Sequence, residues 1–184
     1  MSGADQTAAA SQAPGRNTRT ISAAAFGISG RNIRQKRLVE ILRVLRPGAW
    51  LAAAVWSAPD KNPYLMIPIT VIKQFLDLPQ PDPTAPGIFR LATPSDLAGM
   101  LQQAGCTHLS EEEFIADVRF PSGEEYYASL MDIAAPIQNL FAKLSDEQKA
   151  DARGRIITSA NQYRRTDGIA LPIAVRMVAG RKPL

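Results

Sequence analysis

The sequence predicts an α/β fold, a sheet with helices packed over it, on three observations. AWLAAAVWS (49–57) carries no charge and does not alternate, the pattern of a strand covered on both faces. Ahead of it runs a helix-spaced apolar stripe, Ile33, Leu38, Ile41, Leu42 and Leu45, closed by Pro47-Gly48. Helical and strand-like patterns then alternate to the C-terminus with short turns between them.

The totals bound the class. A chain of 184 residues, 46% hydrophobic and 21% charged, has the size and composition of one globular domain. No apolar run approaches the ~20 residues of a membrane span, so no membrane partner is expected. The start, MSGADQTAAAS, lacks the basic and apolar regions of a secretory signal, and the lone Cys106 excludes an internal disulfide. Both features predict a cytoplasmic protein. The net charge of +4 is local: residues 1–48 hold eight Arg or Lys against Asp5 and Glu40, whereas residues 49–184 hold thirteen against fifteen acids. The cluster RNIRQKR (31–37) has no aromatic residues for base stacking and leads into a helix, so it reads as a solvated helix face and not as a nucleic-acid site.

Residues 1–19 are small and polar, too poor in apolar surface to offset ordering entropy, and read as a disordered arm. TISAAAFGIS (20–29) reads as a short buried strand. A helix over 33–45 follows, then the apolar strand, a loop at APDKNP, and an irregular helix or helix pair over 64–76 between prolines. LPQPDPTAPG (78–87) holds four prolines and reads as a surface connection. TPSDLAGMLQQAGC (93–106) is a helix with Thr93 or Ser95 as N-cap and Gly105 as stop. EFIADVRF (113–120) alternates like a half-exposed strand. Residues 122–144 form a helix capped by Ser122 and bent at Pro136; residues 145–164 form another, capped at Ser145 and Asp146; residues 168–182 close the chain as a strand.

At EILRVLRPGAWLAAAVW the residues resemble class I S-adenosylmethionine-dependent methyltransferases of the small-molecule group labelled methyltransferase type 11. There a helix ending in R-x-L-x-P-G-G leads into the fifth strand of a seven-stranded Rossmann-like sheet. Arg43 to Gly48 fit that pattern, and Ala49 stands at the second glycine. Ser95 to Gly105 resembles the helix before the sixth strand, 113–120 that strand, 169–182 the antiparallel seventh, and 20–29 the fourth. The resemblance implies a partial Rossmann-like methyltransferase sheet, apparent strands four to seven, over 20–184, with helical inserts at about 61–77 and 122–164. It covers the C-terminal half of the family's domain. The glycine-rich cofactor loop after the first strand and the acid that holds the ribose have no counterpart in this sequence, where Gly27 and Gly30 supply only one G-x-x-G.

The cofactor implied is S-adenosylmethionine, with a small-molecule methyl acceptor. Methyl transfer is an in-line displacement that needs alignment more than acid–base groups, so no catalytic residue is assigned. Ligands in open α/β sheets sit beyond the carboxyl ends of strands. That rule places Phe26 and Gly27 as cofactor candidates, and Trp56, Asn62 and Tyr64 as candidates for the acceptor pocket. Tyr126 and Tyr127 join them on a helix that in the resembling family covers that pocket. Core packing is the alternative for each. His108 reads as a turn residue, Cys106 as buried, and Glu111-Glu112-Glu113 as solvated acids with no metal expected.

The expectation is therefore a methyltransferase-family chain impaired in cofactor binding. Two alternatives stand beside it: a non-catalytic module that completes its sheet with a partner chain or a second copy through an exposed edge, or the remnant of a degraded gene.

Overall fold

A computed structural model describes residues 22–23, 35–77 and 87–184. The elements are β1 (Ser22–Ala23), α1 (Gln35–Val44), β2 (Trp50–Trp56), a 3-10 turn (Pro59–Lys61), α2 (Pro63–Ile72), α3 (Asp96–Gln103), β3 (Thr107–Phe120), α4 (Gly123–Ile133), α5 (Ala135–Phe141), α6 (Asp146–Asn161), β4 (Arg164–Arg165) and β5 (Gly168–Arg181). The chain is a mixed α/β fold. Its sheet runs β1-β2-β5-β3, with β4 a short partner of β5. β1 lies parallel to β2, and every other pairing is antiparallel.

The Pro47-Gly48 turn shows why α1 must feed β2. Gly48 takes φ +75°, a conformation that favours glycine, and its N–H donates to Lys182 O and Pro183 O at 3.0 and 3.2 Å. Arg181 Nε donates to Gly48 O at 2.9 Å, while Lys182 Nζ donates to Leu45 O at 2.7 Å and Arg43 O at 3.3 Å, covering carbonyls that the end of α1 leaves unpaired. The entry to β2 is thus tied to the exit of β5.

Two cores form on the two sides of the sheet. α1 and α3 bring Leu38, Leu42, Leu97 and Leu101 against Leu51, Ala53 and Val178. α2, α4, α5 and α6 bring Ile72, Tyr126, Phe141 and Ile156 against Ile169 and Leu171. Leu171 and Val178 differ in parity along β5, so they point to opposite faces.

Several expectations change. The apolar strand is expected to be covered on both faces, but Trp50 is 48% exposed, because the layer of α2 and α4–α6 sits over the other end of the sheet. The strand expected at 113–120 begins at Thr107, since its polar first half pairs with β5 beyond a register shift between Thr107 and Ser110. His108 consequently belongs to that irregular strand start, at φ +50°, and not to a turn. The bend at Pro136 is a break: α4 ends at Ile133 and α5 starts at Ala135, with Pro136 in its first turn, where a missing N–H costs nothing. Ser122 and Ser145 are N-caps as expected, and Ser145 with Gln148 forms a reciprocal capping box. Ser95 precedes α3 in a left-handed conformation and makes no side-chain cap.

Candidate functional site at the carboxyl end of β2

β2 ends where the charge-free run ends. Ser57 N–H still donates to Ala174 O at 2.9 Å, then Pro59 opens the 3-10 turn and Pro63 starts α2. Asn62, fully buried, folds back over this corner. Its Nδ2 donates to Ser57 O at 3.1 Å and Ala58 O at 3.0 Å, and its Oδ1 accepts from Ala174 N–H at 2.9 Å. One amide thus satisfies three backbone groups and fixes the loop to β5.

On the α1/α3 side of the sheet, that corner carries a charged cluster. Arg176 is 9% exposed and lies opposite Val55 on one side and Glu113 on the other. It pairs with Glu111 at 3.2 Å and Glu113 at 3.3 Å. Glu113 also accepts a very short hydrogen bond from Ser57 Oγ and an ion pair from Lys61 Nζ at 2.6 Å. Glu111 accepts from the Ser95 backbone N–H at 3.1 Å, so it holds the start of α3 as well. The Lys61 contact, then the Ser57 hydroxyl, hold the Glu113 carboxyl below its ordinary range. Arg176 Nε is buried and has no hydrogen-bond partner among the described residues.

On the opposite side, Tyr64 stacks on Phe120 with rings 6.3 Å apart, and Tyr126 meets both. The Tyr126 hydroxyl donates to Tyr64 O at 2.6 Å, and burial pushes both phenols to higher pKa. Tyr127 sits edge-on to Phe141 with the Arg153 guanidinium over its ring.

Two hollows flank the corner. One of about 460 Å³ is lined by Ser57, Lys61, Phe89, Thr93, Pro94 and Arg176. Another of about 360 Å³ lies between α2 and α6, against Met66, Ile67, Thr70, Gln74, Ser159 and Tyr163. Each carboxylate of the cluster is already neutralised and hydrogen-bonded, so the corner can orient and desolvate a small molecule, but it presents no poised base or nucleophile. Cys106 is buried, and its thiol is pushed up by burial. Among the described residues no group of three or more His, Cys, Asp or Glu is placed to hold a metal.

The structure brings Asn62, Tyr64 and Tyr126 near one corner, Trp56 at the end of β2 and Tyr127 further along α4. Neither hollow is lined by any of these five residues. Phe26 and Gly27 lie outside the described residues. Sequence reasoning missed Ser57, Lys61 and Arg176, and it read Glu111 and Glu113 as solvated. The signal was present: Arg176 interrupts the apolar run IAVRMV, and a charge inside a buried strand requires a partner.

No protein-family model matches this sequence, and no curated protein sequence does. Several solved structures are similar to this chain at low identity and TM-score. A Bacillus halodurans protein described as a candidate methyltransferase shares 15% identity at a TM-score of 0.39, over 82% of this chain and 63% of that one. A Haemonchus contortus phosphoethanolamine N-methyltransferase 2, in complex with phosphomonomethylethanolamine and S-adenosylhomocysteine, shares 13% at 0.38, over 88% and 32%. The [4+2]-cyclase SpnF shares 19% at 0.32, over 82% and 44%. The chain therefore spans less than two thirds of the length of each.

Proposed function

We propose that this chain is the acceptor-side, C-terminal part of a class I S-adenosylmethionine-dependent methyltransferase acting on a small molecule, and that by itself it holds the cofactor weakly. The observation that carries the reading is strand order. A short strand lies parallel to β2, and the last strand of the chain runs antiparallel against the other side of β2. Those are the relations that the resemblance gives to apparent strands four, five and seven. The tied Pro47-Gly48 turn supports the same assignment at the point where the resemblance is strongest in sequence.

The chemistry of the corner is compatible. Displacement at a sulfonium methyl group requires an aligned acceptor and excluded water, and the neutralised cluster with its adjoining hollow supplies positioning groups without a free base. Weak cofactor binding follows from the lack of a glycine-rich loop in 35–184 and of a matching acid to hold the ribose. Calorimetric titration of the chain with S-adenosylmethionine is expected to show no saturable binding at micromolar concentrations. A low-micromolar dissociation constant would defeat the cofactor part of the proposal. Strand pairing is tested separately by nuclear Overhauser contacts: antiparallel contacts between Ala53 and Val178 are expected, and parallel β2–β5 pairing would defeat the family part.

A second reading, a module completed by a partner chain, is favoured by the sheet face opposite α1 and α3. There Trp50, Met177 and Phe114 are 48, 48 and 55% exposed.

A further inference from the structure

We propose that the outer edge of β3 is a self-association surface, on which two copies of this chain pair antiparallel about a two-fold axis at Ala116. β3 is the last strand in the sheet order and is bonded to β5 alone among the described residues. Its pairing with β5 is regular from Ser110 to Phe120, so it is a long, even edge whose outer N–H and C=O groups meet no strand among the described residues and can template another. Phe114 and Ile115, at its middle, are 55% and 62% exposed.

Charge selects both the occupant and the register. In a two-fold antiparallel pair, directly opposed side chains share a face, so the axis must pass through a residue and not between residues. An axis at Glu113 opposes two glutamates; at Phe114 it opposes Glu111 to Asp117; at Ile115, Glu113 to Asp117; at Asp117, two aspartates. Each of these places like charges face to face, which is destabilising. An axis at Ala116 has no such clash. It opposes Glu113 to Arg119 and Phe114 to Val118, each twice, and uses the whole segment 112–120 up to Pro121, which cannot donate to a ladder. An axis at Val118 also avoids like charges, but its ladder reaches only 116–120 and leaves Phe114 and Ile115 outside. The sequence of this edge is thus complementary to itself in one extended register.

The full chain is expected to sediment at twice its 19.9 kDa mass at tens of micromolar. Arg119→Glu, which would set Glu113 against the new acid, and Ala116→Lys, which would set two ammonium groups on the axis, are expected to sediment as folded monomers. In a Cys106→Ala background, Ala116→Cys should oxidise to a covalent dimer, because opposed Cα atoms about 5 Å apart suit a disulfide. Phe114→Cys and Val118→Cys should each form no covalent dimer alone and should cross-link when mixed. A wild-type chain that remains monomeric, a dimer unaffected by Arg119→Glu, or cross-linking of Phe114→Cys with itself would overturn the proposal.

Discussion

Arg176 is the residue on which the corner depends. It brings a guanidinium into a strand in which Ala174, Val175 and Val178 are buried, and the structure answers with Glu111 and Glu113 from β3. Arg176→Met should cost about 3 kcal/mol in chemical denaturation, because it leaves two partly buried acids with fewer partners. Asn62→Ala should cost about 2 kcal/mol by the same measurement, since three backbone groups lose their bonds at once. Glu113 links the cluster to pH. Its folded pKa is depressed below the ordinary 4.5, so its contribution is complete above that value and is lost as pH falls through the folded value. Stability of the wild-type chain should therefore fall below about pH 4.5, while Glu113→Gln should be weaker at pH 7 and show a shallower decline.

At the scale of elements, local chemistry and tertiary contact act at different points. The ends of α4 and α6 are set locally: Ser122 and Ser145 accept from N–H groups three residues on, and Ser145→Ala should lower the melting temperature through a loss of about 1 kcal/mol. The start of α3 is set from a distance, because the Ser95 N–H is held by Glu111 on a strand that follows in sequence. The start of β5 is set by close approach. Gly168 takes φ +133°, and an added Cβ would overlap the Phe120 carbonyl oxygen, so Gly168→Ala should destabilise the β3–β5 pairing more than Gly154→Ala on the open surface of α6. Urea midpoints of the two variants check this ordering.

For the whole molecule, coverage of the sheet is uneven. α1 and α3 cover one face near β2, while α2 and α4–α6 cover the other face at the opposite end, leaving Trp50 and Met177 bare. Acrylamide should therefore quench Trp50 more strongly than the half-buried Trp56, a difference read from Trp50→Phe and Trp56→Phe variants. Much of this architecture was legible in sequence. The charge-free run marked β2, the P-G turn marked the end of α1, and the apolar 168–182 segment marked the strand that meets β2. The candidate site was less legible. Trp56, Asn62 and Tyr64 stand near a strand end, and Tyr126 and Tyr127 on a helix that the resemblance sets over the acceptor pocket, but neither position says which way a side chain turns. Asn62 turns inward to the backbone and Tyr126 into the core.

The sequence by itself determined the type and order of most segments, because apolar periodicity, caps and glycine or proline breaks act within a few residues of chain, but it missed the polar first half of β3 and the break between α4 and α5. It also carried the resemblance, which rests on the order of such segments. Only the tertiary structure decided that β5 enters between β2 and β3, and that Glu111 and Glu113 are engaged acids while Glu112 is exposed. Only the tertiary structure decided, too, that β3 ends the sheet, with a long edge unpaired among the described residues. The reason is physical: the fate of a charge or a strand edge depends on neighbours brought from 50 or more positions away, as Ser57, Glu113 and Arg176 are, and no local pattern records that meeting.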